Sequence, residues 1–457
     1  MKKFLIGFLI LAGALVAIFF IMQSSRTQQQ QAAQQPTAID TQAGREVTDF
    51  PEPPPGAIVF DMKYRSLSGG KDELRYNSYW GYGGNSKDTP FLANVKKKVK
   101  DFETVYNPSL KGAEWSAVEI KDNKTVALYV DLNADGKVSD DEKILPIQNS
   151  ESSSYNRTEF VTPDFIMNTP DNRQVPFRAL LQATFYGQQA RPNFMWSPSC
   201  VLEGTSTMND QPVKLILFAN GLSGSFKEFG RSSLSLQTGK EETGSYVSRQ
   251  TLCSMINDND QYYKVELNGR HEKDCTVRVI LTKYTGATGN LTTQLTGNTN
   301  LEAKLSNATI TGSKDTLVQF NLASEQSKLP TGFYNLHRGY INYSAGNDEK
   351  WRLDFTEGPE FTIDADKTCN VELGKPVLSV SAVEENKRYQ NDVKEQTVYS
   401  KGTNVFISRI IKGKGGELYG RFSRQNENST NYNAIEPDIK IVDSEGKEVV
   451  AVKIKYG

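Results

Sequence analysis

Twelve residues in the first third of the chain, DLNADGKVSDDE from Asp131 to Glu142, have the types and spacing to hold a hard divalent cation. A twelve-residue calcium loop needs side-chain oxygens at positions 1, 3 and 5 and a glycine at 6. It then takes a backbone carbonyl at 7, often a water-linked residue at 9, and a bidentate glutamate at 12. Those places hold Asp131, Asn133, Asp135, Gly136, Lys137, Ser139 and Glu142, with apolar Val138 at position 8. Three carboxylates and an amide oxygen suit Ca2+ better than Mg2+, which needs a tight octahedron and keeps several waters. Asp, Asn and Gly also gather in turns for backbone reasons alone. No turn requires Glu142, however, and crowded acids repel one another unless a cation neutralises them. The expected ligands are therefore Asp131, Asn133, Asp135, the Lys137 carbonyl, Ser139 and Glu142, and the expected ion is Ca2+.

The elements that must position this loop read as strands. KTVALYV precedes it and KILPI follows it, both short and β-branched, so the loop joins a hairpin rather than the two helices of an EF-hand. Without helices to open, such a site is a staple and not a switch. The same pattern continues along the chain in AIVFDMKY, RALLQATFY, PVKLILFA, YYKVEL, TVRVILTKY, TLVQFNLA, INYS, WRLDF and VVAVKIKY. NG, GG, DG and SG pairs punctuate these runs, as hairpins require. No segment beyond residue 57 sustains a helical period for three turns. The lysine cluster KKKVK, Lys96 to Lys100, reads as a solvated strand edge or loop. Antiparallel sandwiches or barrels are the expected architecture.

Other chemistry finds little support. The two histidines, His271 in NGRHEKDC and His337 in YNLHRGY, read as surface or strand residues, and no nucleophile, metalloprotease or nucleotide-binding motif stands in its required context. A carboxylate pair could hydrolyse polysaccharide without histidine, which is the alternative to a binding role. With 54 acids in the chain, no such pair can be singled out by sequence. The aromatic clusters YNSYWGYGG (Tyr76 to Gly84) and RPNFMWSPSC (with Phe194, Met195 and Trp196) read as core or packing. A formal net charge of −1 provides no basic field for nucleic acid.

The N-terminus sets the compartment. Lys2 and Lys3 precede an uncharged apolar run, Phe4 to Met22, whose length at about 1.5 Å per residue approaches a hydrocarbon core of roughly 30 Å. No convincing small-residue cleavage site follows it, so residues 4–22 read as a signal anchor with the tip 1–3 in the cytoplasm and the rest periplasmic or extracellular, a cleaved signal peptide being the alternative. Residues 23–56, Gln-rich and then Pro-rich, cannot bury enough surface to fold and form a tether. Export makes Cys200, Cys253, Cys275 and Cys369 candidates for disulfides, and Cys253–Cys275 is the pair expected from proximity.

The body divides into β regions at 57–190, 191–290, 291–375 and 376–457. ALYVDLNADGKV of the first region aligns with LILFANGLSGSF of the second, Gly136 over Gly224 and Val138 over Phe226. Ala219, Gly221 and Ser223 replace the ligand residues, which predicts a weak repeat without its metal. In the third region KLPTGFYNL, Lys328 to Leu336, followed by FTIDADKTCNVELGKP, resembles the LPxGxY element of transthyretin-like and carboxypeptidase-regulatory β-sandwich modules. With YVDLNADGK and the GGELY…PDIKIVDSEGK…KIKYG ending, the chain resembles uncharacterised exported bacterial multi-domain β-sandwich proteins bearing DxNxDG loops. That resemblance implies small Ig-like or transthyretin-like sandwiches and a bound ion. Such modules displayed on a tethered anchor point to a structural or adhesive role toward an envelope protein or polysaccharide.

Overall fold

Alternating burial along TVALYV and its neighbours shows why this sequence makes sheets. In the strand Lys124–Val130, Leu128 and Val130 enter one core while Ala127 and Tyr129 enter another on the opposite face. A strand covered on both faces reads as a continuous apolar run, as this one does. The structure is a computed structural model. It describes residues 52–68, 79–83, 89–111, 113–122, 124–133, 135–139, 142–169, 174–187, 191–238, 249–268, 277–296, 302–312, 318–322, 326–344, 350–384, 404–425, 432–434, 438–442 and 445–453. The tip 1–3, the apolar run 4–22 and the tether as far as residue 51 lie outside them. Among the described residues, no helix is long and apolar enough to cross a membrane.

The body is mainly β, as expected, in several mostly antiparallel sheets. One nine-stranded sheet carries Lys124–Val130 near one edge, between Lys143–Ile144 and Trp115–Lys121, and runs through Tyr79–Gly83 and Asn193–Pro198 to Gln148–Glu151. An eight-stranded sheet shares its core. There Ile58–Ser66 sits between Cys200–Met208 and Val277–Lys283, hydrogen-bonded to both. Phe60, Met62, Leu202, Leu215, Val279 and Leu281 from this sheet meet Leu128, Phe160, Leu181 and Trp196 from the other. The chain changes sheets at Ser199, a single residue between Asn193–Pro198 and Cys200–Met208. Its N–H donates to the Arg178 carbonyl and its Oγ to the Leu67 carbonyl, at 2.7 and 3.0 Å, so the corner leaves no backbone donor unpaired. Phe194 and Trp196 are core, as the sequence predicts.

A second core lies under another nine-stranded sheet and a three-stranded one. Strand Lys350–Glu357 pairs with Leu418–Gln425, so residues from both sides of 375 share that sheet. In LPTGFYNL, Tyr334 is buried and its hydroxyl donates to the Pro330 carbonyl at 2.9 Å, which closes the turn. His337 is exposed on Gly332–Ser344, and His271 lies outside the described residues.

One expectation needs correction. KKKVK is not a strand edge: Lys96, Lys97 and Lys98 form the last turn of a helix, Pro90–Lys98. Thr89 caps it, with Oγ1 accepting from the Leu92 N–H at 3.2 Å, and Pro90 occupies the first turn, where its missing donor costs nothing. Three cations at the helix C-terminus complement the helix dipole. No disulfide joins two of the described cysteines. Burial pushes the Cys253 thiol up to about 11 and raises Cys369 as well, so both stay protonated at neutral pH. Cys275, the expected partner of Cys253, lies outside the described residues.

Because Ile58–Ser66 is an interior strand, Phe60→Ala should remove about 3–5 kcal/mol of unfolding free energy, read by urea titration. An unchanged midpoint would show that this strand contributes little to the shared core.

Candidate metal centre

Position 1 of the loop follows directly on strand Lys124–Val130, and position 12 precedes Lys143–Ile144. These strands pair antiparallel, Leu128 opposite Ile144 and Tyr129 opposite Lys143, so the loop is the connection of a hairpin, as its flanks predict. Gly136 at position 6 adopts φ 72°, a left-handed conformation that other residues pay to enter. A β-carbon there would also lie 3.1 Å from that of Pro90.

Each ligand side chain is oriented by a backbone donor within the loop. Asp131 Oδ2 accepts from the Gly136 N–H at 3.2 Å, Asn133 Oδ1 from the Asp135 N–H at 2.9 Å, and Asp135 Oδ1 from the Lys137 N–H at 2.7 Å. Glu142 Oε2 accepts from both the N–H and the hydroxyl of Ser139, at 2.8 and 2.7 Å. Ser139 therefore aims Glu142, a role its place at position 9 does not announce. The outcome is a convergence of charge: carboxylate oxygens of Asp131, Asp135 and Glu142 all lie within 4.8 Å of one another.

Two of those carboxylates hold a buried oxygen that accepts no hydrogen bond from the described residues, Asp131 Oδ1 and Glu142 Oε1. Glu142 is only 1% exposed. A buried carboxylate oxygen without a donor is costly, far more so beside two further carboxylates. Among the described residues, the counter-charge in contact with the cluster is the exposed Lys137 ammonium, 3.8 Å from Asp135 Oδ2, a pair worth little in water. Burial raises the Asp131 carboxyl above the ordinary aspartate value. The Gly136 N–H opposes that rise, while the charges of Glu142 and Asp135 add to it. A divalent cation would supply what both orphaned oxygens lack.

The helix Pro90–Lys98 is the other half of the setting. Phe91, Leu92, Val95 and Val99 pack on Ala117, Ala127, Tyr129 and Val138, the apolar residue at position 8. Small Ala117 and Ala127 let the helix approach the sheet. Asn94 Nδ2 donates to the Gly136 carbonyl at 2.9 Å and Lys98 Nζ to the Val138 carbonyl at 2.6 Å, which fixes the Gly136–Lys137 and Val138–Ser139 peptide planes. TPFLANVKKKV carried a readable signal for this helix: a cap, a first-turn proline, and apolar residues at helical spacing.

The aligned second loop keeps the shape and loses the charge. Strand Gln211–Phe218 leads into a short 3-10 turn, Gly221–Ser223, and Gly224 takes φ 69°, close to Gly136. Phe226 is buried like Val138. Here Asn220 Nδ2 donates to Glu228 Oε2 at 2.7 Å and Ser223 Oγ to the Asn220 carbonyl at 2.7 Å, so hydrogen bonds alone close the turn. Among the described residues, the carboxylates of the first loop are the one cluster of metal-ligating side chains.

An acidic loop clamped between a hairpin and a short helix, on an all-β scaffold, is what fold and site together define. No family model, curated protein or solved structure matches this chain.

The raised Asp131 value fixes a sign. A group that binds its proton more tightly when folded stabilises the fold while protonated, and that stability is lost as pH rises from the ordinary aspartate value through the raised one. In chelator, Asp131→Asn should therefore gain stability over wild type as pH rises through that window, and match it below. Urea midpoints across a pH series check this; a constant difference between the two proteins would refute it.

Proposed function

We propose that this chain is a membrane-anchored, extracytoplasmic binding protein in which the loop Asp131–Glu142 holds one Ca2+ as a structural staple. The ligands would be Asp131, Asn133, Asp135, the Lys137 carbonyl, Ser139 through a water, and Glu142 as the bidentate clamp. The observation that carries this reading is the pair of buried, unpartnered oxygens, Asp131 Oδ1 and Glu142 Oε1, within a three-carboxylate cluster. Residues 4–22 would be the anchor, residues 23–56 the tether, and the β body a set of Ig-like or transthyretin-like modules displayed beyond it, with a Cys253–Cys275 bridge formed after export. The role is structural or adhesive, toward an envelope polysaccharide or protein. Calcium outside cells is abundant, so a site with Kd on the order of 10⁻⁴ to 10⁻³ M would stay filled.

Such an ion would act on more than the loop. It would neutralise Asp131, Asp135 and Glu142 together, hold the hairpin register of Leu128 and Ile144, and keep the carbonyls of Gly136 and Val138 presented to Asn94 and Lys98.

Ca2+ at a hundredfold excess over Kd should stabilise the wild type by about 2.7 kcal/mol, provided the unfolded chain does not bind it. Glu142→Gln should abolish most of that gain. Ser139→Ala should weaken binding to a lesser degree, since it removes one of two hydrogen bonds that aim Glu142. Thermal melts in chelator and in millimolar calcium, with calorimetric titration, decide the matter. Identical melts and no heat of binding would leave only a turn.

A further inference from the structure

On the nine-stranded sheet above the second core, strands Glu302–Gly312, Gly332–Ser344, Lys350–Glu357 and Leu418–Gln425 lie side by side. Register sets which residues share a face. Lys304 stands opposite Asn342, Ser306 opposite Tyr340, Asn342 opposite Arg352, Tyr340 opposite Asp354, and Asp354 opposite Arg421. Leu305, Ile341, Leu353 and Phe355 turn the other way, into the core. The outer face therefore carries Lys304, Arg338, Arg352 and Arg421 across four adjacent strands, with the carboxylate of Asp354 among them and that of Glu302 toward one end. Arg352 donates to Asp354 at 2.6 Å. Lys304, Arg338 and Arg421 are exposed, and among the described residues no carboxylate pairs with them. In a chain of net charge −1, this is a local excess of positive charge spread over about 14 Å, three strand spacings.

The face is held in place. Arg352 stacks on the Tyr340 ring, 3.8 Å from its centroid, and Asn307 Nδ2 donates to the Tyr340 hydroxyl at 2.9 Å. Asn342 Nδ2 donates to Ser306 Oγ at 3.2 Å. Bulges interrupt both outer pairings here, between Ser306 and Thr309 and between Asp354 and Glu357, and Asn307 takes φ 48°. Bulges re-aim side chains and recur beside functional sites. They open a groove of about 710 Å3 along Lys304, Asn307, Arg338, Tyr340 and Arg352. A second groove, of about 600 Å3, adjoins it, sharing Leu322 and Arg338, and is lined by amides and hydroxyls such as Gln250, Asn257, Gln319 and Ser327, with Arg249 and Lys328 against the one carboxylate of Asp260.

We propose that this joined groove binds an anionic glycan, the cationic face taking its acid groups and the amide-lined arm its hydroxyls. The inference names a ligand for the binding role proposed above and does not depend on the calcium loop. An acidic peptide fits less well. Peptides add to sheets through unpaired edge backbone, whereas Gly332–Ser344 and Lys350–Glu357 are interior strands whose backbone groups are already paired. On the cationic face only side chains are on offer, which suits a ligand that brings its own hydroxyls and charges, whereas the amide-lined arm also runs along the edge strands Gln319–Leu322 and Gln326–Pro330.

Calorimetric titration of the full-length protein with a hexamer of galacturonic acid, in chelator so that the sugar carries no calcium, tests this. Binding should appear and weaken with added salt. Lys304→Gln, Arg338→Gln and Arg421→Gln combined should weaken it by about tenfold or more with an unchanged melt. If the triple variant melts early, Arg338→Gln alone should still weaken binding without affecting the melt. Glu142→Gln should bind the sugar like wild type, which separates this result from the fate of the calcium site. No binding to wild type, equal binding by the variants, or equal binding of a glutamate hexamer would overturn the proposal.

Discussion

The docking of one short helix onto the back of one strand is the contact on which the acidic loop depends. Ala127 and Tyr129 of Lys124–Val130 meet Phe91, Leu92 and Val95, while Leu128 and Val130 of the same strand are fixed in the large core. A strand gripped on both faces cannot slip, because a one-residue shift would turn every side chain to the wrong side. The end of that strand is thus a rigid launching point for Asp131. The helix then reaches forward with Asn94 and Lys98 to hold two loop carbonyls, and Val138 plugs the loop back into the same small core. Converging three carboxylates is unfavourable, and it takes this much surrounding structure to impose it.

The two related loops show what the charge is for. Both launch from a doubly buried strand, both turn on a left-handed glycine, and both bury an apolar residue two positions later. The second achieves this with hydrogen bonds of Asn220, Ser223 and Glu228 and a single carboxylate, that of Glu228, which Arg231 accompanies at 3.6 Å. A turn of this shape therefore has no need of three acids. Their presence in the first loop, with two oxygens left unsatisfied, marks a different demand on that loop.

Much of this was legible in the residues. The strands bear their signal locally, in β-branched alternation, and the convergence of Asp131, Asp135 and Glu142 is visible because a twelve-residue loop fixes which positions point inward. What was not legible came from distance. The partners of Ile58–Ser66 lie far along the chain, and nothing in AIVFDMKY names Cys200–Met208 or Val277–Lys283 as neighbours. Lys304, Arg338, Arg352 and Arg421 look like unrelated surface charges until register aligns them. The helix was missed for another reason. Nine residues give too few turns for a period to stand out, so its cap and its first-turn proline were the better clue.

The place of Ile58–Ser66 also bears on how such a chain reaches its native state. Synthesis delivers this strand first, yet its ladder closes only when Val277–Lys283 arrives, and the Asp61–Arg278 ion pair spans 217 residues. Until then Ile58–Met62, whose partners all lie in Val277–Lys283, presents an unpaired edge, an invitation to the wrong neighbour. Closure over so long a loop is slow compared with local hairpins, since the entropy is lost before the contact forms. The hairpin of the acidic loop is complete within about twenty residues of chain, on the microsecond scale typical of hairpins. Assembly is therefore ordered by reach: local hairpins first, and the seam at the first strand last.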